Sequence, residues 1–209
     1  MPFPIFRHLI FISAGFAVPL SMRAQAERGA VADTARTAAG ITAADARFMQ
    51  GMIGHHAQAV VMAHLVPTRT TNASVRLLAE RIDVAQKDEI VLMQRWLGAH
   101  GASVPAGGGG AHDHSMMGDQ PMLMPGMLTV EQLGRLTAAQ GAGFDELFLT
   151  FMIQHHEGAL VMVATLFSTP GSGQEPALFE FASDVDAGQR AEIARMRALL
   201  KLSPLGARD

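Results

Sequence analysis

Apolar positions recur with a helical period over four long stretches of the chain. In the first stretch, steps of three and four residues join one set of side chains: Phe48, Met52, His55, Ala59 and Met62. Because an α-helix has about 3.6 residues per turn, these side chains share one helical face. Thr42 and Asp45 predict the start of this helix, and Pro67 predicts its end.

A second helix is predicted over residues 72–99, ending before Gly101. One stripe along it consists of Ala79, Ile82, Gln86, Ile90, Met93 and Leu97. Residues 101–128 then lose the pattern and contain glycine and proline clusters, so we expect an irregular linker there.

The helical pattern returns in the second half of the chain. Thr129 with Gln132 forms a predicted capping box, and the pattern is interrupted near residues 141–143 before it continues to Phe167. A last helix is expected from about Pro176 to Leu202, before a proline at position 204.

The two halves repeat one another. A shift of 100 residues superimposes Asp45, Phe48, Met52, Ile53, His55, His56, Ala59, Val61 and Met62 on Asp145, Phe148, Met152, Ile153, His155, His156, Ala159, Val161 and Met162. A shift of 103 aligns Ala79, Asp83, Gln86, Glu89, Ile90 and Met93 with Ala182, Asp186, Gln189, Glu192, Ile193 and Met196. Two repeated helical hairpins bury their stripes most simply as an all-α four-helix bundle, which is the fold that we predict.

The first residues are typical of a secretory signal. Arg7 and His8 precede a short apolar run over residues 9–20, and small residues at 24–26 suit cleavage before Glu27. The run is shorter than the roughly 20 residues of a membrane span, so an uncleaved anchor is the less favoured alternative. We therefore expect a periplasmic or otherwise secreted protein that meets the membrane only through this segment.

These patterns divide the chain into six predicted segments. They are a signal peptide 1–26, a flexible segment 27–41, hairpins 42–100 and 129–202 with the linker 101–128 between them, and a tail 203–209.

The amino-acid composition limits which partners and which metal ligands are available to the chain. The formal net charge of -3 offers no basic field for nucleic acid. The chain has no cysteine, so disulfides and thiolate ligands are excluded. Any soft metal ligand must come from its 14 methionines.

Both predicted first helices carry imidazole and thioether groups on one side. The candidate metal ligands are Met52, His55, His56, Met62, Met152, His155, His156 and Met162. If a pseudo-two-fold axis relates the hairpins, these groups would meet. The alternative is that the methionines fill the core and the histidines are hydrogen-bonded to neighbours.

Four polar residues of the second helices are predicted to face the histidines, either as their hydrogen-bond partners or as part of a polar seam: Gln86, Glu89, Gln189 and Glu192. The linker supplies a separate candidate cluster, either a looser metal site or a solvated connector: His112, His114, Met116 and Met117.

Thioether and imidazole without thiolate favour Cu(I), with Ag(I) as a chemical mimic, while Cu(II) or Zn²⁺ on histidine alone stays open. The helices lack the Glu-x-x-His pairs of di-iron bundles. We also find no nucleophile elbow, phosphate-binding loop or dinucleotide fingerprint, so we expect binding rather than catalysis.

The motif from Phe48 to His56, its copy from Phe148 to Ala159 and the series Gln86, Glu89, Ile90, Met93, Trp96 and Leu97 resemble the signature of the domain of unknown function 305 family. The resemblance extends from Asp45 to Leu200. It implies a ferritin-like helical bundle, commonly exported, whose CopM-like members bind copper or silver through Met and His and support copper resistance. The halves depart from each other where Leu149 replaces Met49 and Leu199 replaces Trp96.

The leading hypothesis is an exported protein that binds copper for sequestration, transfer or resistance and exchanges it with other periplasmic copper-handling proteins. The second is a structural or interaction bundle with a hydrogen-bonded histidine seam. A metal-dependent redox enzyme is the third.

Overall fold

The structure is a computed structural model that describes residues 40–105 and 123–202. These residues form five helices and no strand: α1 Ala43–Arg69, α2 Ala73–Ala99, α3 Val130–Ala138, α4 Gly141–Ser168 and α5 Pro176–Leu202. Helix α1 packs against α2, α4 packs against α5, and α1 packs against α4, with the short α3 beside α4. The prediction of an all-α bundle of two helical hairpins is confirmed.

Side-chain caps define where the predicted helices begin. Thr42 Oγ1 accepts a hydrogen bond from the Asp45 amide, and the Asp45 carboxylate accepts one from the Thr42 amide at 2.8 Å. Thr129 and Gln132 make the same reciprocal pair at the start of α3. Each pair satisfies two backbone donors that no helical carbonyl reaches.

The predicted interruption lies slightly earlier than the glycines that suggested it. Ala139 and Gln140 are extended and separate α3 from α4, whereas Gly141 is the first residue of α4. Gly141 has a φ of 57°, which a glycine adopts without steric cost. The glycine therefore allows the chain to turn into α4.

The prediction that Pro67 ends the first helix is wrong. Helix α1 continues past Pro67 to Arg69. Proline lacks one amide donor, but in the last turn this removes a single hydrogen bond. The Thr70 amide still donates to the Val66 carbonyl at 3.2 Å and closes the final turn.

Two equivalent aspartates fasten each hairpin to the other. Asp45, near the start of α1, accepts a hydrogen bond from the Gly173 amide in the α4–α5 turn at 2.7 Å. Asp145, in α4, accepts one from the Asn72 side chain in the α1–α2 turn at 2.9 Å. Because both contacts join distant parts of the chain, they fix how far α1 slides along α4.

The core consists of two apolar clusters. Along α1, one cluster takes residues as far as Ile53 and the other begins at Ala59. Along α4, the order of the clusters is reversed, with the change between Met152 and Ala159. The histidine doublets occupy the gap in both helices, so a polar layer crosses the middle of the bundle.

Helix α4 is apolar enough, and long enough, to cross a membrane by composition and length. Half of its most apolar window is buried inside the bundle, including Phe144, Phe148 and Met152. A central core helix has the same composition, and packing against α1 and α5 accounts for the apolar character of α4.

Candidate metal centre

Four histidines form the polar layer, and all four side chains are buried: His55, His56, His155 and His156. The rings of His55 and His155 lie in contact, with centroids 3.8 Å apart and planes tilted by 38°. Within each doublet the centroids are 6.4 and 6.3 Å apart. The layer therefore has a central pair of rings and one further ring on either side.

The two outer histidines are anchored in the same way. His56 Nε2 lies 2.6 Å from a carboxylate oxygen of Glu89, and His156 Nε2 lies 2.6 Å from one of Glu192. Since a carboxylate accepts, the imidazole donates from Nε2 in both contacts. These glutamates are two of the four polar residues that the sequence placed opposite the histidines.

The two glutamines of that set lie in the interior without such a contact. Gln86 and Gln189 are buried, and their side-chain oxygens have no hydrogen-bond partner among the described residues. They add polar character to the layer but do not orient a histidine through a hydrogen bond.

The central pair is held in its neutral form. Burial, followed by the nearby charge of His56, lowers the pKa of His55 from its ordinary value of 6.5 to about 3. Burial, followed by the other histidines, lowers the pKa of His155 well below 6.5. A neutral imidazole keeps one nitrogen lone pair, which is the form that binds metals.

Each histidine retains one buried ring nitrogen without a hydrogen-bond partner in the described part of the chain. These atoms are Nδ1 of His55, Nδ1 of His56, Nε2 of His155 and Nδ1 of His156. An unsatisfied buried polar group costs roughly 1–3 kcal/mol. Four such groups in one layer are the chemistry expected of imidazoles that bind a metal ion while their other nitrogens are held by acceptors.

The layer is not a preformed cage of nitrogen and carboxylate ligands. Within residues 40–105 and 123–202, no three His, Asp or Glu side chains converge as a metal site. The outer rings stand more than 6 Å from their neighbours in sequence, and their glutamates hold them there.

The four candidate methionines lie on both sides of the histidine layer. Met52 belongs to one apolar cluster, with Met162 packed against it, whereas Met62 and Met152 belong to the other. Because α1 and α4 are antiparallel, Met52 of one helix shares an end with Met162 of the other. The four histidines and four methionines therefore do not form the single neighbourhood that was expected. Two of the four thioethers lie on each side of the histidine layer.

Sequence reasoning missed the chain segment that covers the central pair. Residues 123–128, which we call the strap, were assigned to the irregular linker. The Pro125 carbonyl lies 3.0 Å from His55 Nε2, and Gln58 binds both the amide and the carbonyl of Leu128, at 2.7 and 3.1 Å. The strap is thus part of the site.

Close backbone packing holds the strap on α4. A Cβ atom added to Gly158 would lie 2.0 Å from the Pro125 carbonyl oxygen, and one added to Gly126 would lie 2.4 Å from the Gln154 carbonyl oxygen. The clue in the sequence is Gly158 itself, which stands in the middle of a helix where the first repeat has Gln58. A mid-helix glycine often marks a close approach of another backbone.

The linker candidates His112, His114, Met116 and Met117 lie outside the described residues, as do the predicted signal peptide and the C-terminal tail.

A family model described as a domain of unknown function, DUF305, matches residues 45–200. A DUF305 fragment from Deinococcus radiodurans is 26% identical, with a TM-score of 0.64, and the match covers 78% of this chain and 98% of that one. A DUF305 protein from Streptomyces coelicolor, predicted to be secreted, is 29% identical with a TM-score of 0.64 over 79% and 96%.

CopM is a further similar structure, solved in two copper-bound forms. The Cu(II)-bound form is 28% identical to this chain and the Cu(I)-bound form 26%. Both have a TM-score of 0.57, and both matches cover 76% of this chain and 96% of CopM. No curated protein matches the chain.

Proposed function

The chain belongs to the DUF305 family, and from that premise we propose that it binds copper, with the buried histidine layer as its principal site. The observation that carries this proposal is the set of four buried imidazole nitrogens without hydrogen-bond partners among the described residues. Binding a metal would satisfy nitrogens that otherwise remain unsatisfied in the interior.

The hydrogen bonds around the layer support the same role. Glu89 and Glu192 each hold the opposite nitrogen of an outer histidine, and the Pro125 carbonyl holds that of His55. Such partners fix the orientation of metal-binding imidazoles and make them better electron donors.

Ligand chemistry favours copper over harder ions. Two of the four candidate thioethers lie on each side of the histidine layer. A site of thioether and imidazole ligands suits Cu(I), with Ag(I) as its mimic. Cu(II) and Zn²⁺ would use the histidines alone. The two copper-bound CopM structures, at 26–28% identity, support a copper ion in this fold.

Because the histidines are enclosed and surrounded by apolar clusters, we propose capture and transfer of copper rather than its use in catalysis. The predicted signal at residues 1–26, together with the Streptomyces coelicolor relative, supports action outside the cytoplasm. The ion would be sequestered there or exchanged with other periplasmic copper-handling proteins, in support of copper resistance.

The test is a titration of the mature protein with Cu(I) against a competing chelator. Replacing His55, His56, His155 and His156 by Ala should lower the affinity at least about tenfold. His64→Ala with His100→Ala is the matched control, since neither residue lies in the layer. An unchanged affinity in the four-histidine variant would remove the layer from the proposal.

The linker needs its own variant, because His112, His114, Met116 and Met117 form the competing candidate site. Deleting residues 107–122 removes these four residues and keeps every residue of the strap and of the bundle. If this deletion abolishes tight binding while the histidine layer is unchanged, copper is held by the linker instead.

A structural bundle with a hydrogen-bonded histidine seam is the second candidate function. The equal contacts of His56 with Glu89 and of His156 with Glu192 favour it, as does the lack of three converging His, Asp or Glu side chains in the described ranges. It predicts that copper leaves the melting temperature unchanged, whereas a bound ion raises it by mass action.

A further inference from the structure

Met124, near the start of the strap, lies across a part of α1 where two glycines, Gly51 and Gly54, leave the helix backbone without side chains. Its sulfur would be 3.2 Å from a Cβ atom added to Gly51, and its methyl group would be 3.4 Å from one added to Gly54. Because both positions are glycine, the thioether approaches the α1 backbone more closely than it could over larger residues.

Met162 of α4 reaches the same point. Its methyl carbon would be 3.4 Å from the Cβ atom added to Gly51, so the two thioether side chains converge over one residue of α1. Both side chains are partly exposed, in contrast to the fully buried Met52, Met62 and Met152. They therefore lie at the edge of the core, where an ion from solvent can reach them, although Met162 also packs against an apolar cluster.

The second repeat does not offer the same surface. Phe151 and Gln154 stand at the positions that correspond to Gly51 and Gly54. The convergence of Met124 and Met162 is therefore specific to one end of the α1–α4 contact.

This pair of thioethers adjoins the central histidines. Pro125, which follows Met124, holds His55 Nε2 through its carbonyl group. His155, whose ring contacts that of His55, has a buried Nε2 without a partner in the described part of the chain. The strap therefore connects the methionine pair to the central histidines, which retain the unpartnered Nδ1 of His55 and Nε2 of His155 as acceptors for a soft ion.

We propose that Met124 and Met162 form a second, more exposed site for a soft monovalent ion, Cu(I) or Ag(I), through which the ion enters the buried histidine layer. This inference rests on the proposed function. It adds a binding site outside the layer and assigns Met124 as a ligand.

The direct test is nuclear magnetic resonance of the full chain, labelled with ¹³C in the methionine methyl groups and with ¹⁵N in the histidine rings, and titrated with Ag(I). The Met124 and Met162 methyl signals should move at the first additions of Ag(I). Met124→Leu and Met162→Leu should each weaken this first binding step about tenfold or more. Met127→Leu, a change within the same strap, should leave the step unchanged.

The outcomes separate this inference from the proposed function. If Ag(I) binds the histidines while the Met124 and Met162 signals stay fixed, the entry site is wrong and the histidine site stands. If the linker methyl groups of Met116 and Met117 move first, the entry site is also wrong. If no histidine or methionine responds, the proposed function fails as well.

A backbone variant tests the glycine surface without removing a ligand. Gly51→Ala should favour helix formation, since glycine is a poor helix former, but it adds a methyl group against both thioethers. The first Ag(I) step should weaken while the melting temperature is retained or rises. Gly188→Ala, where an added Cβ meets nothing within 4 Å, is the control and should leave Ag(I) binding unchanged. Equal Ag(I) affinity in the two variants would contradict the entry site.

Discussion

The two histidine doublets are copies in sequence, yet they differ in their surroundings. His56 and His156 have the same glutamate contact at the same distance. His55 Nε2 is bound by the strap carbonyl, whereas Nε2 of its counterpart His155 has no partner among the described residues. Duplication of a hairpin thus reproduces contacts made within the hairpin, while the single strap serves only one copy.

The same difference appears at the residues that hold the strap. Gln58 of the first repeat binds Leu128 through two hydrogen bonds, whereas the equivalent Gly158 permits direct backbone contact with Pro125. Equivalent positions of the two repeats therefore hold different residues of the same segment. The asymmetry is part of the packing and is not a loss of one half of the site.

The largest expected effect comes from titrating the central pair. The folded metal-free protein keeps His55 neutral down to a pKa of about 3, and burial likewise lowers the pKa of His155, but both residues protonate near 6.5 when unfolded. The unfolded state therefore binds more protons below pH 6.5. The stability that the two neutral rings contribute is fully present above that pH and falls as the pH decreases, by about 1.4 kcal/mol per pH unit for His55 until the pH approaches its folded pKa of about 3.

Urea unfolding between pH 7.5 and 5 measures this loss, which should reach about 2 kcal/mol for His55, with a further loss in the same direction from His155. His155→Leu should remove that ring's share of the slope. A slope that is the same in wild type and His155→Leu would show that burial does not keep this ring neutral.

Gly158→Ala should have the next largest effect, because it breaks the contact between strap and α4. The added Cβ would overlap the Pro125 backbone, which has no flexible end to move aside. We expect a loss of about 2–3 kcal/mol, or release of the strap with faster proteolysis within it. Melting temperature and limited proteolysis together distinguish the two.

The control for that change is Gly188→Ala in α5, where the new methyl group meets nothing within 4 Å. This variant should be as stable as the wild type or more stable, because alanine is the better helix former. If both variants are equally stable and equally resistant to protease, the strap does not bind α4 through Gly158.

Helical period and caps were enough to predict the bundle. The stripes and the capping pair Thr42 and Asp45 depend on residues close in sequence, where the geometry of the helix is known in advance, and the repeat applies the same pattern to both halves. Glu89 and Glu192 could be placed opposite the histidines because they belong to the stripe of the second helix of each hairpin, which faces the first helix.

Contacts between the hairpins could not be predicted in this way. The division of the methionines depends on how α1 slides along α4, which Asp45 and Asp145 fix through partners in distant turns. The strap is held in place through a backbone carbonyl group and two glycines. Contacts between backbone atoms leave no pattern of side chains in the sequence from which they could be predicted. The prediction at Pro67 is wrong because the effect of a proline on a helix depends on how near it lies to the helix end, and Pro67 lies in the last turn of α1.

The smallest expected effect tests the symmetric part of the site. Glu89→Ala and Glu192→Ala each leave a buried histidine without its carboxylate acceptor, and each should lower stability by about 1–2 kcal/mol. The glutamate side chains are 28% and 17% exposed, so water can replace part of each contact. Urea unfolding of the metal-free protein should give equal losses for the two variants, since both contacts measure 2.6 Å, and the exposed Glu80→Ala should give none. Losses that differ by more than about 1 kcal/mol would contradict the equivalence of the two contacts and would extend the asymmetry to the outer histidines.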